Sequence, residues 1–181
     1  MKGTLTLLLG AMTVAGCQTT TTARRQLPPV QTVAHVEVER YLGTWHEIAR
    51  FPHRFQNGCT GTTATYAMRS DGDIDVVNSC RLGRLDGREK RARGWARVVD
   101  RRSNAKLEVS FFRPFWGAYW VIDLAPDYSY AVVGHPGRDY LWILSRTPTM
   151  DGPTYDAILA RLRLQGYEVG RLMKAQPPGG P

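Results

Sequence analysis

Gly43-Thr44-Trp45-His46-Glu47-Ile48-Ala49-Arg50-Phe51-Pro52 is answered about a hundred residues later by Ser145-Arg146-Thr147-Pro148. A Gly-x-Trp opens the first strand-like run of the chain and an arginine closes the last one. The pairing predicts a barrel whose two ends meet, with the Arg146 guanidinium stacked on the Trp45 indole. Such a barrel is built around a cavity.

The stretch between the two blocks reads as a meander. Runs rich in aromatic and β-branched residues fall at Trp45–Arg50, Thr60–Met68, Ile74–Cys80, Arg88–Val99, Ala105–Phe112, Ala118–Leu124, Tyr128–Gly134 and Asp139–Ser145. Turn residues separate them, among them Asp71-Gly72, Asp86-Gly87, Arg113-Pro114, Ala125-Pro126-Asp127 and His135-Pro136-Gly137. Eight strands with short links predict an all-β fold, an eight-stranded up-and-down antiparallel barrel wide enough for one small ligand. One helix follows, over about 153–165. Asp151-Gly152-Pro153 supplies its start, Tyr155, Ile158, Leu159 and Leu162 share one face, and Gly166 ends it. That stripe predicts packing against the outside of the barrel, with Tyr167 to Met173 a last strand-like segment and 175–181 a loose Pro/Gly tail.

The N-terminus is of another kind. Met1 and Lys2 give a basic start, Leu5 to Met12 is apolar, and Val14-Ala15-Gly16 places small residues before Cys17. The pattern predicts a signal peptide over 1–16, too short to span a bilayer as a resident helix. Val14-Ala15-Gly16-Cys17 resembles the lipobox of bacterial lipoproteins, in which the thiol receives diacylglycerol and the freed amine an acyl chain. On that reading three chains hold the protein firmly, since two lipid signals already suffice. An ordinary secretory signal with an incidental cysteine is the alternative. Gln18 after the lipid site, rather than Asp, resembles the outer-membrane sorting pattern and implies a periplasm-facing protein. Residues 17–37 then read as the lipidated Cys17 and a flexible tether, polar up to Leu27-Pro28-Pro29.

Export bears on the cysteines. Cys59 and Cys80 flank two strand-like runs joined by Arg69-Ser70-Asp71-Gly72-Asp73, and a hairpin brings its outer ends together. They are candidates for a disulfide, which would stabilise by about 3 kcal/mol in the chain-entropy model. A metal site lacks further soft ligands nearby, and a nucleophilic thiol lacks an obvious paired base. No metal or cofactor set has ligand spacing.

The 181 residues, less the leader, are the size of one domain with one core. Net charge is +8, concentrated between Arg81 and Arg102. In a cytosolic protein that would suggest nucleic acid; export argues against it. A solvated hairpin with arginines on its outer face, or proximity to anionic headgroups, accounts for the excess.

Gly43-Thr44-Trp45-His46-Glu47-Ile48-Ala49-Arg50-Phe51 resembles the first conserved motif of lipocalins, Arg138-Asp139-Tyr140-Leu141-Trp142 the second, and Leu144-Ser145-Arg146-Thr147-Pro148 the third. The span from about Val38 to Lys174 is similar to the bacterial outer-membrane members of that family. The sequence departs from the family at His46, where a tyrosine is usual, and in the Cys59/Cys80 pair. The resemblance implies that Gly43, Trp45 and Arg146 are structural, closing one end of the barrel.

Strand parity nominates a cavity wall. Counting back by twos from Arg146 gives Leu144, Trp142 and Tyr140. Aligning the hairpins by the family resemblance adds Ala64, Tyr66, Met68, Val76, Asn78, Leu107, Val109, Phe111, Tyr119 and Val121. The opposite face, with Thr65, Asp75, Glu108 and Ser110, is more polar. A slip of one residue inverts any of these sets, and the Arg88–Val99 strand stays unassigned.

These readings imply a membrane-anchored binding protein that holds fatty acids or lysophospholipids for storage, transport or repair at the outer membrane. Each buried methylene contributes about 0.8 kcal/mol, so a long acyl chain offers up to roughly 10 kcal/mol before ordering costs. Two alternatives belong to other classes. A lipid-modifying enzyme needs a base or nucleophile in the barrel, and His35, His46, His53 and His135 are dispersed, three of them beside loops. An interaction protein would use the Arg113-Pro114-Phe115-Trp116-Gly117 loop against a bilayer or partner. Oligomeric state is left open, a dimer included.

Overall fold

The structure is a computed structural model and describes residues 27–176. The expected signal peptide, the expected lipidation site Cys17, the first part of the expected tether and the tail from 177 lie outside the described residues.

Eight strands form the barrel: β1 (Gly43–Arg50), β2 (Cys59–Met68), β3 (Ile74–Leu82), β4 (Glu89–Val98), β5 (Lys106–Phe112), β6 (Phe115–Leu124), β7 (Tyr130–Gly134) and β8 (Leu141–Ser145). Each pairs antiparallel with the next, and β1 pairs with both β2 and β8, which closes the sheet. Closure removes the edges a flat sheet would expose. The expected up-and-down barrel is therefore the observed fold. A short helix, α1 (Val38–Tyr41), precedes β1, and α2 (Gly152–Leu164) follows β8.

Alternation sorts the strands' side chains into two cores. Inside the barrel, Trp45, Tyr66, Val76, Ala96, Leu107 and Val121 are buried together. Outside it, Ala49, Phe51, Val132 and Ile143 meet Tyr155, Ile158 and Leu162 of α2. The helix starts where Asp151 accepts a hydrogen bond from the Thr154 amide at 2.8 Å, with proline in the first turn. Its buried face holds Tyr155, Ile158 and Leu162, while Leu159 is only partly covered. Each fully buried aliphatic side chain there contributes about 1.5–3 kcal/mol.

Cys59 and Cys80 are joined in a disulfide across β2 and β3, with Cα atoms 5.4 Å apart. The hairpin between them brings its outer ends together as expected.

Three expectations are corrected. The tether is not free up to residue 37: Val30 and Val36 are buried, the Val33 amide bonds the Val121 carbonyl, and the Val36 amide bonds the Ser103 carbonyl. Valines three apart, at 30, 33 and 36, give this extended stretch an apolar face, and it docks across the barrel. Phe115 and Trp116 do not form a loop, because β6 already begins at Phe115 and pairs Phe115 with Phe112. Only Arg113-Pro114 turns the chain there. The final strand-like segment shrinks to β9 (Met173–Lys174), added to β1 opposite Ala49 and Arg50, behind a 3-10 turn at Val169–Arg171.

Candidate functional site

At one end the barrel is sealed. Trp45 is fully buried, its indole N–H donates to the Tyr41 carbonyl at 2.8 Å, and Arg146 lies across its ring with the guanidinium carbon 3.7 Å from the centre. Gly43 sits at φ +89, and a side chain there would come within 3.5 Å of the Arg146 guanidinium. α1 and the stretch before it complete the plug, with Val36 and Tyr41 in the inner core.

Above this plug the inward-facing side chains fall into two groups. Tyr66, Val76, Leu107 and Val121 are buried and packed together around the Trp45 floor. Ala64, Val109, Tyr119 and Trp142 face inward on the same strands yet are only partly covered. Inward-facing surface that stays accessible is lumen surface. Asn78 stands opposite Ala64 and shares that face, with its Oδ1 buried and without a hydrogen-bond partner. Phe111 lies over Gly94, where a Cβ would come within 2.8 Å of its ring, and it is 40% exposed at the open end. Tyr140 precedes β8 and stacks on Trp142, with centroids 5.9 Å apart. Met68 has the parity of Tyr66 but stands 44% exposed at the sealed end, beyond the lumen. The β2–β3 hairpin outruns the barrel there, so parity no longer points inward.

The open end, or mouth, carries a polar collar that alternation alone does not locate. Between Glu47 and Ala49 the pairing of β1 with β8 shifts, a bulge that spends one extra residue. Glu47 therefore lies opposite Leu144 and Arg50 opposite Trp142, both toward the lumen, while Ala49 and Phe51 face α2. The Glu47 carboxylate and the Arg50 guanidinium pair at 3.2 Å, each nearly buried. Gln56, from the 3-10 turn Arg54–Gln56, donates to Glu47 at 2.7 Å and accepts from the Trp142 indole at 3.1 Å. Burial raises the Glu47 carboxyl above its ordinary value, and the Gln56 hydrogen bond and Arg50 pull it partly back. His53 completes the collar, edge-on to Trp142 at 5.3 Å. Both its nitrogens are buried without a well-formed hydrogen bond; burial followed by the Arg50 charge lowers its pKa, nearby Gln56 offsets part of this, and the net shift favours the neutral ring.

The floor of the lumen is phenolic. The Tyr119 hydroxyl lies 2.8 Å from that of Tyr41 and 2.9 Å from that of Tyr66. Desolvation holds all three protonated, Tyr66 being pushed up to about 12. Among the described residues these hydroxyls bond only one another.

Of the functional groups named here, the sequence reading passed over Glu47, Arg50, Gln56, His53 and Tyr41. Glu47 was within reach, since it shares the parity of Trp45. Arg50 was not, because the bulge that turns it inward leaves no mark in the residue pattern. Among the described residues no three His, Cys, Asp or Glu side chains come together as a metal site would require.

A barrel sealed at one end, apolar along its wall and collared by polar groups at its mouth defines a receptacle for a small hydrophobic molecule. The chain belongs to the family of lipocalin-like domains, which matches residues 36–177. It is 46% identical over 156 residues to the outer membrane lipoprotein Blc of Citrobacter freundii, covering 84% of this chain and 86% of that one. Temperature-induced lipocalin-1 of Arabidopsis thaliana is 41% identical over 155 residues, or 80% of this chain and 81% of that one. Among solved structures, insecticyanin from the tobacco hornworm Manduca sexta shares the fold, with a TM-score of 0.65 at 23% identity over 83% of this chain and 86% of that one. The family is one of binding and transport proteins rather than enzymes.

Proposed function

We propose that this chain is a lipid-anchored carrier of the outer membrane that holds one fatty acid or lysophospholipid in its barrel, for storage, transport or repair. The anchor is the lipid on Cys17, and the carrier faces the periplasm. The observation that carries the reading is the order of surfaces along the lumen: phenolic floor, apolar wall, polar collar. Ala64, Val109 and the Trp142 ring offer an acyl chain a surface free of charge. The collar offers a head group the N–H groups of Arg50 that its pairing with Glu47 leaves over, now turned to backbone carbonyls at 3.4 Å, so a head group would lodge at the mouth with its chain inward. About a dozen buried methylenes would contribute roughly 10 kcal/mol before immobilisation costs, enough for micromolar binding. Likeness to an outer membrane lipoprotein over most of the chain supports the location.

The test is titration of the delipidated protein with a fluorescent fatty acid. Saturable binding at micromolar concentration, displaced by lysophospholipid, is expected; no binding there overturns the reading. The mass of the mature protein from the membrane tests the anchor at Cys17.

A further inference from the structure

Two features that the lumen does not explain lie at the same end of the barrel. The first is where the described chain begins. The Pro28 carbonyl accepts from Arg138, in the turn between β7 and β8, and the Gln31 amide donates to Gln165 at the end of α2. From there the chain runs along the barrel to Val36 at the sealed end. The β7–β8 turn is part of the mouth: it holds His135 and Tyr140, and Tyr140 stacks on Phe55 at 6.5 Å. Residue 27 therefore emerges beside the mouth. Only residues 18–26 separate it from Cys17, a span of at most about 35 Å however the chain is shaped. An anchor at Cys17 brings the mouth toward its membrane without any of that length being used to pass the barrel.

The second feature is the rim itself. Phe55, Phe112 and Phe115 are 63%, 75% and 70% exposed, and the rings of Phe112 and Phe115 stack at 6.3 Å. Among the described residues Arg54, Arg88, Lys90 and Arg113, exposed around them, have no carboxylate partner. At the sealed end Arg40, Arg69 and Arg102 are matched to acids and Arg101 is not, while near the mouth Arg84 and Arg91 are matched, so the unmatched cations are most numerous around the exposed rings. Exposed aromatic rings flanked by unmatched cations suit the boundary between anionic head groups and acyl chains.

We infer that the mouth docks on the phospholipid leaflet that carries the anchor, with Phe55, Phe112 and Phe115 among the head groups and the unmatched cations against anionic phosphates. Lipid then passes between leaflet and lumen without crossing water. Trp116 takes no part, since it is half-covered and lies beneath the Arg97 guanidinium at 4.3 Å on the outer wall. The inference rests on the anchored-carrier reading above.

The experiment is hydrogen exchange on the full lipidated protein in vesicles of phosphatidylethanolamine with phosphatidylglycerol, compared with the same protein in detergent. Amides at 54–57 and 111–116 should exchange several-fold more slowly in vesicles, and those at 69–73 and 100–104 at the sealed end should not change. Slowing at the sealed end, or no difference anywhere, overturns the docking. In the double variant Phe112→Ser and Phe115→Ser, both sites being exposed, transfer of a fluorescent fatty acid from vesicles to the lumen should slow several-fold while uptake from solution is kept. Unchanged transfer overturns it as well. The exchange pattern decides the docking whether or not the barrel takes up a fatty acid from solution, which tests the carrier reading alone.

Discussion

Arg146 covers the face of Trp45 at 3.7 Å and at the same time donates to the carbonyls of Thr44 and Arg40. One side chain thus ties the end of β8 to the start of β1 and to α1. Arg146→Ala should lower the unfolding free energy by about 2–3 kcal/mol, from the lost cation–π contact and two charged hydrogen bonds. Arg146→Lys should recover only part, because an ammonium cannot reach both carbonyls while lying flat on the ring. Trp45→Ala removes the floor of the inner core and should cost about 3–5 kcal/mol. Urea unfolding followed by circular dichroism measures all three.

The disulfide acts on the unfolded chain. Replacing Cys59 and Cys80 together by serine should leave the folded far-ultraviolet spectrum unchanged and reduce stability by about 3 kcal/mol, since the bridge closes a separation of 21 residues. Reductant should lower the urea midpoint of the parent protein and leave that of the double variant where it is.

The phenolic floor is unequal in its members. The Tyr119 hydroxyl bonds both neighbours, whereas among the described residues those of Tyr41 and Tyr66 each bond only Tyr119. Tyr66→Phe should cost about 1 kcal/mol, and Tyr119→Phe about twice that, because it breaks two hydrogen bonds and strands two buried hydroxyls, where Tyr66→Phe breaks one and strands none. Equal losses in urea unfolding would remove Tyr119 from the centre of the network.

His53 makes stability depend on pH. Its pKa is lowered in the folded state by burial and by Arg50, so the neutral ring favours folding. That contribution is fully present above the ordinary histidine value of about 6.5 and is lost as pH falls below it toward the lowered folded value. His46, on β1, shifts in the same direction through burial. The melting temperature of the parent should therefore drop between neutral pH and pH about 5. His53→Phe, which replaces two unpartnered nitrogens by carbon, should show a smaller drop. A scan of melting temperature against pH for the two proteins reads the difference directly.

The barrel, its strand order and the Trp45–Arg146 clasp were legible in the sequence because each follows from a period of two, a turn residue or a motif at a strand end. The interior was legible as far as the strands stay regular. Trp142 follows from counting twos back from Arg146, and Ala64, Val109 and Tyr119 from aligning the hairpins by the family resemblance; the alternation fails where β2 outruns the lumen at Met68 and where β1 bulges before Arg50. Gln56 and His53 could not be found that way, since they reach the lumen from a 3-10 turn and its flank. The docked stretch around Val30 and Val36 was hidden for a different reason. Its neighbours in sequence are polar, and its partners in space, Val121 and Ser103, are far along the chain.

Three phenolic hydrogens and only two oxygen-to-oxygen contacts lie at the floor of the barrel. However the hydroxyls turn, each contact consumes one hydrogen, and one is always left over. The bottom of the lumen therefore keeps one phenolic hydrogen that neither neighbouring hydroxyl accepts, a polar spot beneath an apolar shaft. The terminal methyl of an acyl chain gains nothing from a hydroxyl hydrogen, and driving it onto one displaces whatever acceptor had been there. The floor thus sets the depth at which a hydrocarbon chain stops gaining by going further in.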